Sequence, residues 1–289
     1  MSSVIKGATN FSKIIKQVNV IHQYISHQRY RVFIPGGFPY EAFNNRACIC
    51  PWSIVRMIEC GRGAGFSSGF LDAKEMYKDY FIFIASSSTK VSPELYNPTK
   101  IKGPLIQDVT LDYVGNMSFK LKNIISIEGD KEPICENNTQ SVFVSVKTRK
   151  PTAPPDWWLN KYSLGQDNGT PLKMNLLKPP QGMDLNEFSF KVPASDVDPY
   201  LHVNWSNYVK YFYEALVQTT LSKVGNENAQ LAFRNLKDFS ISYIHEAGIG
   251  DDLNIIFWED VNIRDLYHFQ MLNGTKIVSE SSFELLPCR

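Results

Sequence analysis

Between Ser195 and Tyr208 the chain reads Ser-Asp-Val-Asp-Pro-Tyr-Leu-His-Val-Asn-Trp-Ser-Asn-Tyr, which places Asp196, Asp198, His202 and Asn204 within nine residues. A carboxylate can activate water or attack a carbonyl, an imidazole exchanges protons near neutrality, and a carboxamide can donate to a developing oxyanion. From Trp205 the apolar residues Trp205, Tyr208, Val209, Phe212 and Leu216 fall at helical spacing, with Lys210 and Glu214 off that stripe. Asn204 stands where an N-cap belongs. A helix start gathers unpaired backbone N–H groups and the positive end of the helix dipole, so it can polarise a carbonyl. Acid, base and oxyanion donor could meet at this one turn.

A length of 289 residues accommodates one large domain or two of roughly 145. Hydrophobic content of 43% and charged content of 20% describe an ordinary globular chain, and a net charge of +1 gives no reason to expect a nucleic-acid partner. No apolar run approaches the roughly 18 residues a membrane span needs. No signal-peptide pattern opens the chain, so a cytoplasmic protein is expected. The alternative is a mitochondrial or other organelle matrix, because residues 1–40 hold no acid but carry Lys6, Lys13, Lys16, Arg29 and Arg31. Phe11, Ile14, Ile15 and Val18 lie at helical spacing there, which suits a transit peptide or an ordinary amphipathic helix. Cys48, Cys50, Cys60, Cys135 and Cys288 have no framework spacing and read as reduced thiols. Cys48, Cys50 and Cys60 lack a fourth ligand, so neither metal nor cofactor is expected.

The elements that must hold the motif recur twice. Tyr30 to Ile34 alternates as a strand and stops at Pro35-Gly36-Gly37; Pro51 opens a helix that should close at Gly61. Strands are expected at 80–85, 105–113, 117–127 and 140–148. Proline-rich residues 151–186, with Trp157 and Trp158, read as a linker packed through its tryptophans. A strand at 187–192 then leads to the motif and its helix, and strands follow at 236–244, 252–259, 267–272 and 276–285. Ile54-Val55-Arg56 falls on Tyr208-Val209-Lys210 when 154 is added, and Tyr96 with Gly103 falls on Tyr243 with Gly250 when 147 is added. The expected organisation is a first repeat over 1–150, a linker over 151–186 and a second repeat over 187–289. Each repeat is α+β: a curved antiparallel sheet wrapping its helix.

The opening stretch resembles the helix-entry motif of hotdog-fold acyl thioesterases, D-x-D-x-x-x-H-V-N-N-x-x-Y. Residues 243–251, Tyr-Ile-His-Glu-Ala-Gly-Ile-Gly-Asp, resemble their later Y-x-x-E-x-x-x-G-D segment. The layout is most similar to the double-hotdog acyl-ACP thioesterases of plants and bacteria. The resemblance implies a tandem hotdog fold that hydrolyses acyl-CoA or acyl-ACP thioesters to free acid and thiol. It implies Asp198 as the catalytic carboxylate, His202 as orienter of water or carbonyl, and Glu246 brought beside the helix start. Asn204 would cap the helix and donate to the substrate. Trp205, Tyr208, Tyr200 and Lys210 are candidate substrate contacts, Lys210 as a cation for a coenzyme A carrier. An internal pair meets the fold's need for a twin, so a monomer or a homodimer is expected.

Two positions depart from the family. Tyr200 stands where the plant-type enzymes carry asparagine, and Ala247 stands where they tend to carry cysteine. By the same offsets the first repeat has Asn44 for Asp198, Cys48 for His202, Cys50 for Asn204 and Thr99 for Glu246, which leaves one working site per chain. A non-catalytic acyl-binding or scaffold protein is the alternative that those departures support. An enoyl-CoA hydratase is a third reading, disfavoured because such hotdog enzymes place histidine five residues after the aspartate. Here it follows Asp198 by four and Asp196 by six.

Overall fold

A computed structural model describes residues 13–163 and 169–287. Residues 13–17 are helical, as the amphipathic pattern predicts; Lys6 and Phe11 of that pattern lie outside the described residues, as does Cys288. The chain divides into two compact units. One is built from the described residues up to Pro39 together with Arg56–Thr89 and Ile101–Lys173; the other from Tyr40–Val55, Lys90–Lys100 and the chain from Met174 on.

The first unit carries β1 (Ile21–Ser26), β2 (Arg29–Ile34), most of α1 (Pro51–Ser68) and of β3 (Tyr80–Val91), then β4 (Leu105–Val114), β5 (Ser118–Ile127), β6 (Cys135–Ser145) and α2 (Asp156–Ser163). Its strands run in the order β1-β2-β4-β5-β6-β3, and β1-β2, β2-β4, β4-β5 and β5-β6 pair antiparallel. Strict alternation buries one face: Phe119, Leu121, Ile125 and Ile127 of β5 are buried with the polar Asn123 among them, while Lys120 and Lys122 lie on the other face.

Three local expectations are corrected here. The helix from Pro51 runs through Gly61 to Ser68. A Cβ on Gly61 would collide with the Gln107 side chain, and one on Gly65 would meet the Tyr30 ring at 3.0 Å. These glycines let α1 lie close on the sheet instead of ending it. The strands at 80–85 and 140–148 are instead β3, which runs on to Val91, and β6, which starts at Cys135. Both extensions hold buried polar residues that break the apolar pattern. Asn137 Nδ2 donates to Ser87 Oγ at 2.8 Å and Thr89 Oγ1 at 2.9 Å, and its Oδ1 accepts from Asn123, which in turn accepts from Gln107. Bonding from strand to strand lowers the cost of burying this polar row, although Gln107 Oε1 and Thr139 Oγ1 find no hydrogen-bond partner, and the strands continue through it. Third, the proline-rich stretch holds α2. Trp158 is buried against Phe119, Phe143 and Tyr162, and its Nε1 donates to Leu71 O at 2.9 Å.

The second unit carries β7 (Asn186–Lys191), α3 (Trp205–Val224), β8 (Leu236–Tyr243), β9 (Asp252–Glu259), β10 (Leu266–Asn273) and β11 (Lys276–Leu285). Its strands run β7-β9-β10-β11-β8, all paired antiparallel. This is the order β2-β4-β5-β6-β3 of the first unit, element for element, so the duplication read from the residue offsets is a duplication of topology. Phe212 of α3 sits 5.3 Å from Phe269 and 6.2 Å from Phe283, and the Tyr211 ring packs tilted at 4.4 Å from Phe190 of β7. Each unit is therefore a helix held on an antiparallel sheet, the α+β tandem hotdog that the motif resemblance implies. Among the described residues, no helix is long and apolar enough to cross a membrane.

Candidate active site

The loop ahead of α3 is a tight turn built by Asp198. Asp198 N donates to His202 O at 2.8 Å, and the carboxylate Oδ1 accepts Tyr200 N at 2.8 Å and His202 N at 3.3 Å. Leu201 closes the turn at φ +66°, and Val197 bridges Val203. The first repeat forms the same turn at an offset of 154. Asn44 N donates to Cys48 O, Asn44 Oδ1 accepts Arg46 N at 2.9 Å and Cys48 N at 3.1 Å, Ala47 has φ +56°, and Phe43 bridges Ile49. Asn and Asp share the short side chain that suits this turn. One side-chain oxygen is all that the turn requires. The charge and the second oxygen of Asp198 are surplus to it.

Next along the chain, Asn204 caps α3. Its Oδ1 accepts Ser206 N at 2.9 Å and Ser206 Oγ at 2.6 Å, so any donation to a substrate comes from Nδ2. The segment carrying Glu246 docks against the loop through Val203 N to Ala247 O at 2.8 Å and a bridge between His202 and Gly248. Asp251 Oδ2 holds that segment, accepting Gly248 N at 2.9 Å and Asn273 Nδ2 at 3.0 Å. His202 Nε2 consequently lies 3.4 Å from Glu246 Oε2, with both side chains partly open to solvent. Burial pushes the Asp198 carboxyl above the ordinary carboxylate range; the Tyr200 and His202 N–H groups oppose that shift, as does the His202 side chain, and the Glu246 charge adds to it. The Tyr200 phenol is pushed up to about 12, first by burial and then by the neighbouring Asp198. Tyr208 is buried, accepts the Ala247 N–H and packs edge-on against Tyr243 at 5.2 Å; burial raises its phenol further still. Trp205 meets the Tyr243 ring at 6.4 Å, and Tyr243 Oη donates to Trp205 O at 3.1 Å.

Asp198, His202 and Glu246 thus form one cluster at the start of α3, with Asn204 on its helix side and Tyr208 beneath the Glu246 segment. Lys210 is turned elsewhere. Its Nζ sits 2.8 Å from Asp196 Oδ2, and the Asp196 carboxylate is almost wholly buried. Asp196 O also accepts Asn204 N at 3.0 Å and Asn207 Nδ2 at 2.8 Å, which ties the loop to the first turns of the helix. Nothing in the sequence marks Asp196 as the partner of Lys210. A pairing fourteen residues apart leaves no periodic signal. The same holds for Asp251, which closes the second motif and clamps the Glu246 segment. Replacing Lys210 with Met is expected to destabilise the fold by about 1–3 kcal/mol, the usual cost of stripping a buried polar group of its partner. A urea titration checks this, and a KM change without a shift in midpoint would return Lys210 to the substrate.

Two repeats of one fold, with a polar cluster at one helix start, narrow the comparison to known proteins. Residues 181–279 match the family model of the acyl-ACP thioesterase C-terminal domain. The match spans β7, the Asp198 loop, α3, β8, β9, β10 and the start of β11. Together with the hotdog fold, the match supports a thioester hydrolase. The fold is similar to that of the 12:0-ACP thioesterase from Umbellularia californica, with TM-score 0.71 and 15% identity, covering 92% of this chain and 100% of that one. It is similar also to an acyl-ACP thioesterase from Bacteroides thetaiotaomicron, with TM-score 0.62 and 14% identity, covering 91% and 100%. At such identities these likenesses carry the fold, whereas the activity rests on the family match. No curated protein matches the chain.

Proposed function

We propose that the chain hydrolyses acyl thioesters of acyl carrier protein or coenzyme A, with Asp198 as the attacking or water-activating carboxylate. The reading rests on one observation: Asn44 builds the same turn as Asp198 without a charge, so the carboxylate charge at 198 serves something other than the loop. A thioester carbonyl held at the start of α3 would have its oxygen facing helix N–H dipoles and Asn204 Nδ2, where negative charge is favoured. The water oxygen bonds to the thioester carbon as its proton passes to the Asp198 carboxylate; the C–S bond then breaks, the leaving thiolate takes that proton, and the acid is released. His202, beside Glu246, orients the water or the carbonyl. Tyr208, Trp205 and Tyr200 line the acyl side.

Carrier protein is favoured by the family that matches. In this reading the protein works in the cytoplasm, or in an organelle matrix if the acid-free leading segment is a transit peptide, as a monomer or a homodimer. The second reading, an acyl-binding protein that has lost catalysis, is favoured by Tyr200 and Ala247. Incubating the purified chain with acyl-CoA and acyl-ACP of several lengths, and following free thiol, separates them. Thiol release that depends on Asp198 is the expected result. Acyl binding without release, or enoyl hydration faster than hydrolysis, overturns it.

A further inference from the structure

The outer face of the second sheet holds a relay that the thioesterase reading does not use. His268 Nδ1 lies 2.8 Å from Ser282 Oγ, and His268 Nε2 lies 3.0 Å from Asp260 Oδ2. Ser282 and His268 are directly opposite on neighbouring strands, β11 and β10. The other oxygen of Asp260 is fixed by Asn262 N at 2.8 Å and Ile263 N at 3.0 Å, so the carboxylate is held toward the imidazole. With the ring proton on Nε2, bonded to the carboxylate, Nδ1 presents its lone pair to the hydroxyl. Nucleophile, base and orienting acid are in hydrogen-bond contact in that order, which is the arrangement that activates a serine. The hydrogen bond from His268 leads the causes that hold the Asp260 carboxyl below its ordinary range. The His268 side chain is 15% exposed and Ser282 is half-buried, so the pair is reachable from solvent.

We propose that Asp260, His268 and Ser282 form a second nucleophilic site, distinct from the Asp198 cluster, that takes an activated carboxylic ester such as an aryl ester. Ser282 Oγ bonds to the ester carbonyl carbon as its proton passes to His268 Nδ1. The carbon–oxygen bond to the phenol breaks, and the phenolate takes that proton. Water then attacks the acyl-serine, gives its proton to His268, and returns the serine hydroxyl with release of the acid. The substrate class follows from the surroundings. Ser282 pairs with His268 on one side and Ser240 on the other, so β11 spends its backbone on the ladder and offers no cradle for an oxyanion. A good leaving group must supply what that cradle would. The Trp258 ring lies 5.7 Å from the His268 ring, and the exposed Val261 and Ile263 follow Asp260, which gives an apolar setting for an aryl or short acyl group.

The test uses the full chain with p-nitrophenyl butyrate and a fluorophosphonate probe, in wild type, Asp198→Asn, Ser282→Ala and His268→Gln. Expected is a probe adduct on the peptide holding Ser282. Expected also is phenolate release that persists in Asp198→Asn and falls at least tenfold in both Ser282→Ala and His268→Gln, each with unchanged circular dichroism. Ser282→Ala removes a single hydroxyl and keeps the Cβ in place, so that variant reads chemistry even if His268→Gln unfolds. Probe absent from the Ser282 peptide, or release unchanged in Ser282→Ala, overturns the proposal.

Discussion

Asp198→Asn is expected to lower thioester hydrolysis by about 10²–10⁴-fold, the usual contribution of a positioned acid–base group, and to leave the fold intact. Intact folding is expected because Asn44 already makes the equivalent turn, its Oδ1 accepting the N–H groups of Arg46 and Cys48. The same substitution should raise stability at neutral pH. Burial lifts the Asp198 carboxyl above its ordinary range, so the folded state holds that proton more tightly than the unfolded chain. The stability this provides is present in full below the unfolded carboxylate pKa, about 3.9, and is lost as pH rises through the raised value. At pH 7 wild type therefore carries a half-buried charge that the Asn variant lacks, and the variant should melt higher. The gap should close below pH ~4, where wild type is protonated as well. Wild-type kcat/KM should fall on the acid side with a midpoint above the ordinary aspartate value, because the working form is the carboxylate. Thiol-release kinetics and thermal melts across pH check both halves. A variant with wild-type turnover would remove Asp198 from the chemistry.

Phe269→Ala carries the largest expected stability cost, about 3–5 kcal/mol, the range for deleting a large ring from a packed core. Phe269 is fully buried, with Phe212 of α3 at 5.3 Å, Phe257 of β9 at 5.3 Å and Phe283 of β11 at 4.9 Å. Three rings on three elements cannot all collapse into one void, so the cavity persists. Since α3 starts directly after its cap Asn204, loosening Phe212 also loosens the helix start that the Asp198 cluster needs. Urea unfolding of the variant should show a clearly lower midpoint, and thiol release should fall with it. A midpoint within error of wild type would mean that this cluster does not hold the second unit together.

Local periodicity explains which parts were legible. Trp205, Tyr208, Val209, Phe212 and Leu216 announce α3, Asn204 announces its cap, and alternation from Tyr30 to Ile34 announces β2, because each signal lies within one element and repeats at its own period. The two offsets, 154 and 147, expose the duplication because equal elements were copied in order. Where packing between elements overrides the local code, the local pattern points the wrong way. Gly61 looks like a helix end, but it is a point of close approach to Gln107 of β4. Ser87, Thr89 and Asn137 look like loop, but they bond one another between strands.

The sequence by itself determined the α+β duplication, and it set Asp198, His202 and Asn204 just ahead of one helix with Asn44, Cys48 and Cys50 at the equivalent positions of the first copy. These are statements about residue type and spacing along one strand of covalent bonds. Tertiary structure alone decided that Lys210 faces Asp196, that Asp251 clamps the segment bringing Glu246 to 3.4 Å from His202, and that Asp260, His268 and Ser282 meet. Each of these joins residues on different elements, through distances that depend on strand register and on how the helix sits on the sheet. Neither is encoded in any window short enough to show a period.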